Sequence, residues 1–401
     1  MKDKKELYLF TGLFPYGKLE NFLETEIDYL CKEFDDVYVV PFRKEGYIRS
    51  YPSNCIVLSP IAQNSIQYLF HGLYCNQSFN ILIKDFFTNR VFCSLRKLKV
   101  WLTGYIAVNC ILNSFVVKSF KDADVVDKIF YFYWGKWGNV LSLFIKDRVL
   151  FVSRFHGDWD LWEEKYDNYA PLRKYVAEKL DAAIFISQKG QEYFNKKYPN
   201  CPTSLHRLGT KDLGICKKSD DGILRVVSCS SVYPLKRVDL ILKAVINVAN
   251  SQKVEWTHLG GGVDFDKIQK MALSNQNPNL SINLLGQMTY TEVQNYYKNN
   301  VVDVFINLST SEGIPVSIME AISCDIPVVA TDVGGTSEIV NKQTGILISK
   351  DSSIEEISNA ILELNTHHCL YSPRKFWERN FSAEKNYSAF AQYLKSLSKI
   401  R

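Results

Sequence analysis

Residues 307–340, NLSTSEGIPVSIMEAISCDIPVVATDVGGTSEIV, hold a strand end, a polar loop, a helix and a second strand in close succession. The apolar, β-rich run at 304–308 reads as a strand that leads into the loop at Glu312 and Gly313. Pro315 then opens a helix, where its missing N–H costs nothing and its ring sets the first turn. The free backbone N–H groups of Val316 and Ser317, with Ile314 just before them, make an anion site suited to a diphosphate, and Gly313 lets a ligand approach the backbone closely. Glu320 follows Glu312 by eight residues. Two carboxylates beside a phosphate site are electrostatically odd unless they hydrogen-bond hydroxyls, and those of a sugar and a ribose suit them.

The same alternation extends outward in both directions. Strand candidates at 224–229, 254–259, 281–285 and 328–330 flank the central one, and 7–11, 37–41, 55–58, 128–133, 149–155, 182–186 and 203–208 repeat the pattern upstream, with helical-period segments between. Such alternation predicts βαβ units with parallel sheets, so the chain reads as α/β with two doubly wound units. The polar, Gly-containing stretch 209–222 reads as the linker, which sets domains at 1–210 and 211–382. Open sheets of this kind bind ligands at the carboxyl ends of their strands.

Composition agrees and narrows the function classes. With 401 residues, 46% hydrophobic and 23% charged, the chain is neither disordered nor fibrous and is long enough for two cores. The net charge of +5 is too small to argue for nucleic acid. A net +6 lies within 84–121, where Lys84, Arg90, Arg96, Lys97, Lys99, Lys118 and Lys121 face a single acid, Asp85. Phe86, Phe87, Phe92, Trp101 and Phe115 share that stretch, and basic-plus-aromatic helices suit an anionic membrane surface; a solvated helix face is the equal alternative. The uncharged run 100–117 contains Thr103, Asn109, Asn113 and Ser114, which favours a buried helix over a membrane span. Ten Cys without CxxC or zinc-like spacing read as reduced thiols of a cytosolic protein, and MKDKKELYLF carries no signal-peptide pattern. Three scattered Asp-x-Asp pairs, Asp122/Asp124, Asp158/Asp160 and Asp264/Asp266, read as chance.

Glu312 to Glu320, the small-residue helix after them and PVVATDVGGTSEIV with its G-I-L-I resemble the retaining glycosyltransferases of family 4, whose signature is E-x7-E. The resemblance implies the GT-B fold, a nucleotide-sugar donor held mostly by the second domain, an acceptor held mostly by the first, and chemistry without metal or other cofactor. It gives Glu320 the donor ribose and Glu312 a place beside the transferred sugar. In SCSSVYPLKRVDLIL, Lys236 matches a lysine on the pyrophosphate; the family's arginine five residues earlier is Ser231 here, and Arg237 is the cation available to compensate. HLGGGVDFDKI matches a Gly-rich turn, with a tight turn at Gly260 to Gly262 as the structural alternative, and Gly286, Gln287 and Met288 match a segment that meets the nucleobase. Glu338 after Gly334 and Gly335 matches GG-x-x-E, and equally suits the first turn of a short helix.

In the first half, FPYGKLENFLETEI resembles the family's opening loop, with Gly17 as the backbone contact to donor phosphate and acceptor. Glu20, Glu24 and Glu26 fall in an amphipathic helix whose exposed face they can populate. His156 and Gly157 with Asp158 resemble the H-G-x-D segment of members that build bacterial surface polysaccharides; His156 at a strand end can bond the acceptor or transferred sugar, or accept a proton. The terminal helices, near 383–401, resemble those that cross back onto the first domain. The expectation is a retaining, metal-independent hexosyltransferase, cytoplasmic and at the inner face of the plasma membrane, that moves a sugar from a UDP- or GDP-sugar to a saccharide, lipid-linked, acceptor in capsule, lipopolysaccharide or exopolysaccharide assembly. A nucleotide-sugar 2-epimerase on the same fold and a non-catalytic sugar-nucleotide-binding subunit are the alternatives.

Overall fold

The computed structural model describes residues 5–17, 20, 22–74, 77–122, 128–145, 149–157 and 160–397. Asp124, Asp158 and Cys75 lie outside them. The chain divides into two units, Met1–His206 with Tyr387–Arg401, and Arg207–Asn386.

In the first unit β1 (Glu6–Thr11), β2 (Asp36–Pro41), β3 (Cys55–Val57), β4 (Ile129–Phe132), β5 (Leu150–Phe155), β6 (Ala182–Phe185) and β7 (Thr203–Leu205) form one sheet. The order is β3-β2-β1-β4-β5-β6-β7, with every neighbouring pair parallel. The connections carry α1 (Leu23–Glu33), α2 (Ser65–Leu73), α3 (Phe79–Thr88), α4 (Leu95–Asn113), α5 (Phe115–Asp122), α6 (Arg173–Ala177) and α7 (Gln188–Lys197). The strands are apolar on both faces, as parallel strands covered by helices on each side must be. One face packs Leu7, Leu9, Val37 and Tyr131 against Leu23, Ile27 and Leu30 of α1 and Phe390 and Leu394 near the C-terminus. The other packs Phe10, Phe130, Phe132 and Phe155 against Val108, Ile111 and Val117.

The second unit has β8 (Leu224–Cys229), β9 (Val254–Leu259), β10 (Leu280–Leu284), β11 (Val304–Asn307), β12 (Val328–Thr331) and β13 (Gly345–Ile348). Their order, β10-β9-β8-β11-β12-β13, is again all parallel. Its helices are α8 (Val238–Val248), α9 (Phe265–Leu273), α10 (Tyr290–Asn299), α11 (Val316–Ser323), α12 (Ile354–Thr366), α13 (Pro373–Asn380) and α14 (Ala383–Ser396), the last running on into the first unit from Tyr387. Each sheet reverses its strand order once, between β1 and β4 and between β8 and β11, and the crevice at such a switch point is where doubly wound sheets place ligands.

Three local readings change. Strand β13, which is not among the strand candidates, pairs with β12 as an additional edge. The 209–222 stretch is not a free linker: Thr210 bridges Ser382 and accepts from the Trp377 indole at 2.8 Å, Cys216 N–H donates to Cys324, and Ser219 bonds Asp303. Its polar side chains serve backbone and carboxylate partners far away in sequence. The run 100–117 is two helices, because Ser114 is extended between α4 and α5. Its amides are satisfied inside the protein: Asn109 bonds Ser78 and the Tyr105 carbonyl, and Asn113 donates to the His71 and Tyr74 carbonyls at the end of α2. Among the described residues no helix is long and apolar enough to cross a membrane.

Candidate active site

In the second unit, β11 delivers Asn307 to the switch point and the loop after it delivers Glu312. Pro315 takes the position just before α11, with ψ at 111°, so the helix proper starts at Val316. Ile318 N–H closes back on the Pro315 carbonyl at 3.1 Å, while those of Val316 and Ser317 have no partner among the described residues. Glu320 sits one turn further, 5% exposed, and burial pushes its carboxyl pKa up to about 8. No described side chain bonds that carboxyl; Cys229 at the end of β8, Tyr297 and Cys324 feel its charge. It is therefore mostly neutral at pH 7.

Glu312 meets Lys236. The ammonium lies 2.5 Å from Oε1, and the Asn307 amide donates to the same oxygen at 3.4 Å. Lys236 ends a 3-10 turn that opens α8. Arg237, next to it, has a left-handed backbone at φ +48° and directs its guanidinium to the Leu308 and Lys350 carbonyls, each at 2.5 Å. It ties α8 to the ends of β11 and β13, with one terminal nitrogen left without a partner. Arg237, expected as a compensating cation, thus spends Nε and one terminal nitrogen on backbone carbonyls.

Two glycine clusters hold these loops. A Cβ on Gly334 would fall 1.8 Å from the Glu312 carbonyl oxygen, and Gly335 N–H donates to the Gly313 carbonyl at 2.8 Å. The Gly334/Gly335 pair therefore presses the turn after β12 onto the Glu312 loop. Gly260 and Gly262 press in the same way on Ser230 and Val232, in the loop that leads to Lys236. Gly286, at φ +70°, bridges Gly260, and the Gln287 backbone lies against Gly261, so 286–288 gathers with the Gly-rich turn at the ends of β9 and β10. Glu338 forms an ion pair with Arg207 at 2.8 Å.

In the first unit, His156 follows β5 and is 7% exposed, stacked among Tyr133, Trp134 and Phe22 with ring centroids 4.7, 4.4 and 6.0 Å away. Neither imidazole nitrogen has a hydrogen-bond partner among the described residues. The loop that carries it is built on Asp160, whose carboxylate accepts from the N–H groups of His156, Gly157 and Gly135 at 3.0 to 3.2 Å. Burial works against ionising Asp160, yet the imidazole 3.6 Å away and the backbone donors outweigh it and hold the carboxyl below its usual range. Arg173 locks the same turn by donating to the Asp160 and Gly135 carbonyls. Sequence reasoning missed Asp160 as a positioning residue because it works through main-chain donors.

Gly17 is required by its turn. At φ +66° its N–H donates to Tyr47, and a Cβ would meet the Glu45 carbonyl at 2.8 Å. The N–H groups that do converge at the end of β1 belong to Gly12, Leu13 and Phe14, and they bond the Glu20 carboxylate. Glu20, Glu24 and Glu26 are not a solvated helix face. Glu20 precedes α1 and turns back, Glu24 pairs with Arg49 at 2.7 Å, and Glu26 is fully buried against Arg154 at 2.5 Å with the Tyr131 hydroxyl donating to it.

In the 84–121 stretch, Asp85 turns inward to the Tyr169 hydroxyl and Leu172 N–H, and burial pushes its pKa up to about 6. Trp101 is buried as well, while Phe87, Phe92 and Phe115 are exposed. The exposed side of α2 adds Ile66, Leu69, Phe70 and Leu73, which the sequence reading passed over. Among the described residues no cluster of three or more His, Cys, Asp or Glu is placed to hold a metal ion.

Residues 217–377 match the family described as glycosyl transferases group 1. The second unit belongs to the group 1 glycosyltransferases. An uncharacterized glycosyltransferase of Methanocaldococcus jannaschii is 29% identical over 292 residues, 71% of this chain and 80% of the relative. The chain spans 40% or less of the length of the streptococcal relatives it also matches. Sucrose-phosphate synthase from Thermosynechococcus elongatus superposes with a TM-score of 0.70 at 14% identity, over 98% of both chains. HepE of Anabaena, solved in complex with UDP and glucose, gives 0.63 at 17% identity, over 98% of this chain and all of its own. The architecture of the chain is GT-B, with two parallel-sheet α/β units.

Proposed function

We propose that this glycosyltransferase moves a hexose from a UDP-sugar, with a GDP-sugar as the second donor class, to a saccharide acceptor with retention of anomeric configuration and without a metal. One observation carries the reading: the open amino end of α11, the Lys236–Glu312 pair and the buried Glu320 all collect at the switch point of the second sheet. An open helix amino end and an ammonium offset the charge of a leaving diphosphate. Glu320, neutral and unpartnered, suits the ribose hydroxyls, and Gly286, Gln287 and Met288 offer backbone to the base. Glu312, already paired with Lys236, stands where the transferred sugar meets the diphosphate and stabilises an oxocarbenium-like transition state. The departing phosphate oxygen accepts the acceptor's proton on the face it leaves. UDP is placed first because HepE, of the same fold, is solved with UDP and glucose.

His156, in an aromatic setting with Nδ1 3.6 Å from the Asp160 carboxylate and Nε2 without a hydrogen-bond partner among the described residues, is assigned to the acceptor or the transferred sugar in the first unit. The acceptor is a lipid-linked saccharide of bacterial capsule, lipopolysaccharide or exopolysaccharide assembly, met by a cytoplasmic enzyme at the inner face of the plasma membrane. Support comes from the exposed apolar side of α2 together with Phe87, Phe92 and the basic residues of 84–121. Incubation with UDP-sugars should release UDP only when a saccharide acceptor is present, and NMR of the product should show the donor's anomeric configuration. An epimerised sugar formed without acceptor would favour the 2-epimerase reading instead.

A further inference from the structure

The Glu20 carboxylate fills a cradle of four donors at the end of β1. The N–H groups of Gly12, Leu13 and Phe14 reach it at 2.8, 2.7 and 2.6 Å, and the Trp134 indole at 2.5 Å. Successive backbone N–H groups that converge on one point make an anion-binding concavity. Here the anion is the chain's own, and it arrives from a left-handed backbone at φ +60°, a conformation strained for a residue with a side chain.

The cradle opens on a cavity of about 710 Å³ within the first unit, walled by rings that include Tyr68, Trp134 and Trp137 and carrying the cations Arg43 and Lys136. That volume is in the range of pockets that hold small organic ligands, and aromatic walls suit the faces of sugar rings. The Arg43 guanidinium stands 6.0 Å from the Tyr68 ring. Glu45, which is exposed, is the other acid in the lining. With Glu20 seated, an incoming anion meets a like charge. With Glu20 withdrawn it meets four donors and two cations.

We propose that this cavity takes an acceptor carrying a phosphoryl ester, and that Glu20 is its internal stand-in, holding the cradle until the substrate's anion displaces it. The inference rests on the first unit being the acceptor side. Phosphate oxygens accept the same hydrogen bonds as the carboxylate, so the exchange preserves the loop. A ligand whose competent state is a minor one binds more weakly by that fraction, and minor states of this kind are populated at about 10% or less.

The Trp134 indole N–H, one of the four donors, reports on the cradle directly. Its resonance, assigned with Trp134→Phe, is followed by NMR while the full chain is titrated with glucose 1-phosphate and, separately, with a short-chain prenyl phosphate. The proposal expects a saturable shift with at least one of them, the responding probe telling whether the ester belongs to a sugar or to a lipid. In Glu20→Ala the same shift should saturate at a concentration about tenfold or more lower. If that variant does not fold, Glu20→Gln replaces it, with a smaller tightening in the same direction. No shift in the wild-type protein with either probe, or affinity that is unchanged or weaker in the Glu20 variant, overturns the proposal. No donor and no transfer step enter the readout, so its failure is distinct from failure of the glycosyltransferase reading.

Discussion

The two sheets end in sites that treat backbone N–H groups in opposite ways. At the end of β11 the donors of Val316 and Ser317 are left open, and the nearby Glu320 is buried without a counter-charge. At the end of β1 the donors of Gly12, Leu13 and Phe14 are closed by Glu20, and the deeper Glu26 is matched by Arg154. An unmatched buried carboxyl carries a desolvation cost, whereas a carboxylate held by converging donors does not.

The largest effect is expected at Glu312. Glu312→Gln keeps the shape but removes the charge paired with Lys236, and a loss of about 100-fold or more in kcat is the scale for removing one preorganised electrostatic group. Steady-state kinetics with UDP-sugar and acceptor should show it with little change in KM for the donor. A variant with wild-type turnover would break the assignment of the open site.

The next effect concerns stability and has opposite signs in the two regions. The Glu320 carboxyl, raised from 4.5 to about 8 by burial, is neutral in both folded and unfolded chains below about pH 4.5. Between 4.5 and about 8 the unfolded chain ionises first, so the group lowers stability progressively as pH rises. Near pH 7 Glu320→Gln is therefore expected to stabilise the ligand-free protein, by up to about 3 kcal/mol. Glu20→Ala leaves three backbone donors and an indole unsatisfied and is expected to destabilise it by about 2 kcal/mol or more. Urea denaturation of both variants at pH 5 and pH 7 checks the signs; the Glu320→Gln gain should shrink at pH 5. The same sign for both would mean that the two sites do not differ as described.

How much the sequence showed follows the same division. Much of the open site was legible because strand, Glu312, Pro315 and Glu320 fall within one βαβ passage, and the alternation around them predicted the two parallel sheets; Lys236, 76 residues upstream of Glu312, was matched only through the family resemblance. The closed site was misread because Glu20, Glu24 and Glu26 fit a helical period, whereas α1 starts only at Leu23 and a left-handed Glu20 sends its carboxylate backward onto β1. Asp160 and the 209–222 stretch make their hydrogen bonds to backbone or to groups distant in sequence, and local composition does not encode such partners. The glycine pairs were visible, but their packing against Glu312 and Ser230 needed the fold.

The central claim is that the open site of the second unit holds a nucleoside diphosphate. Calorimetric titration of the full chain with UDP and with GDP, repeated on Lys236→Ala and Glu320→Ala, tests it most directly. The account predicts saturable binding of UDP to the wild-type protein without added metal, weakened about tenfold or more in each variant, in line with the loss of a charge-assisted or buried hydrogen bond. Absence of binding by either nucleotide, or binding that both variants leave unchanged, would contradict it.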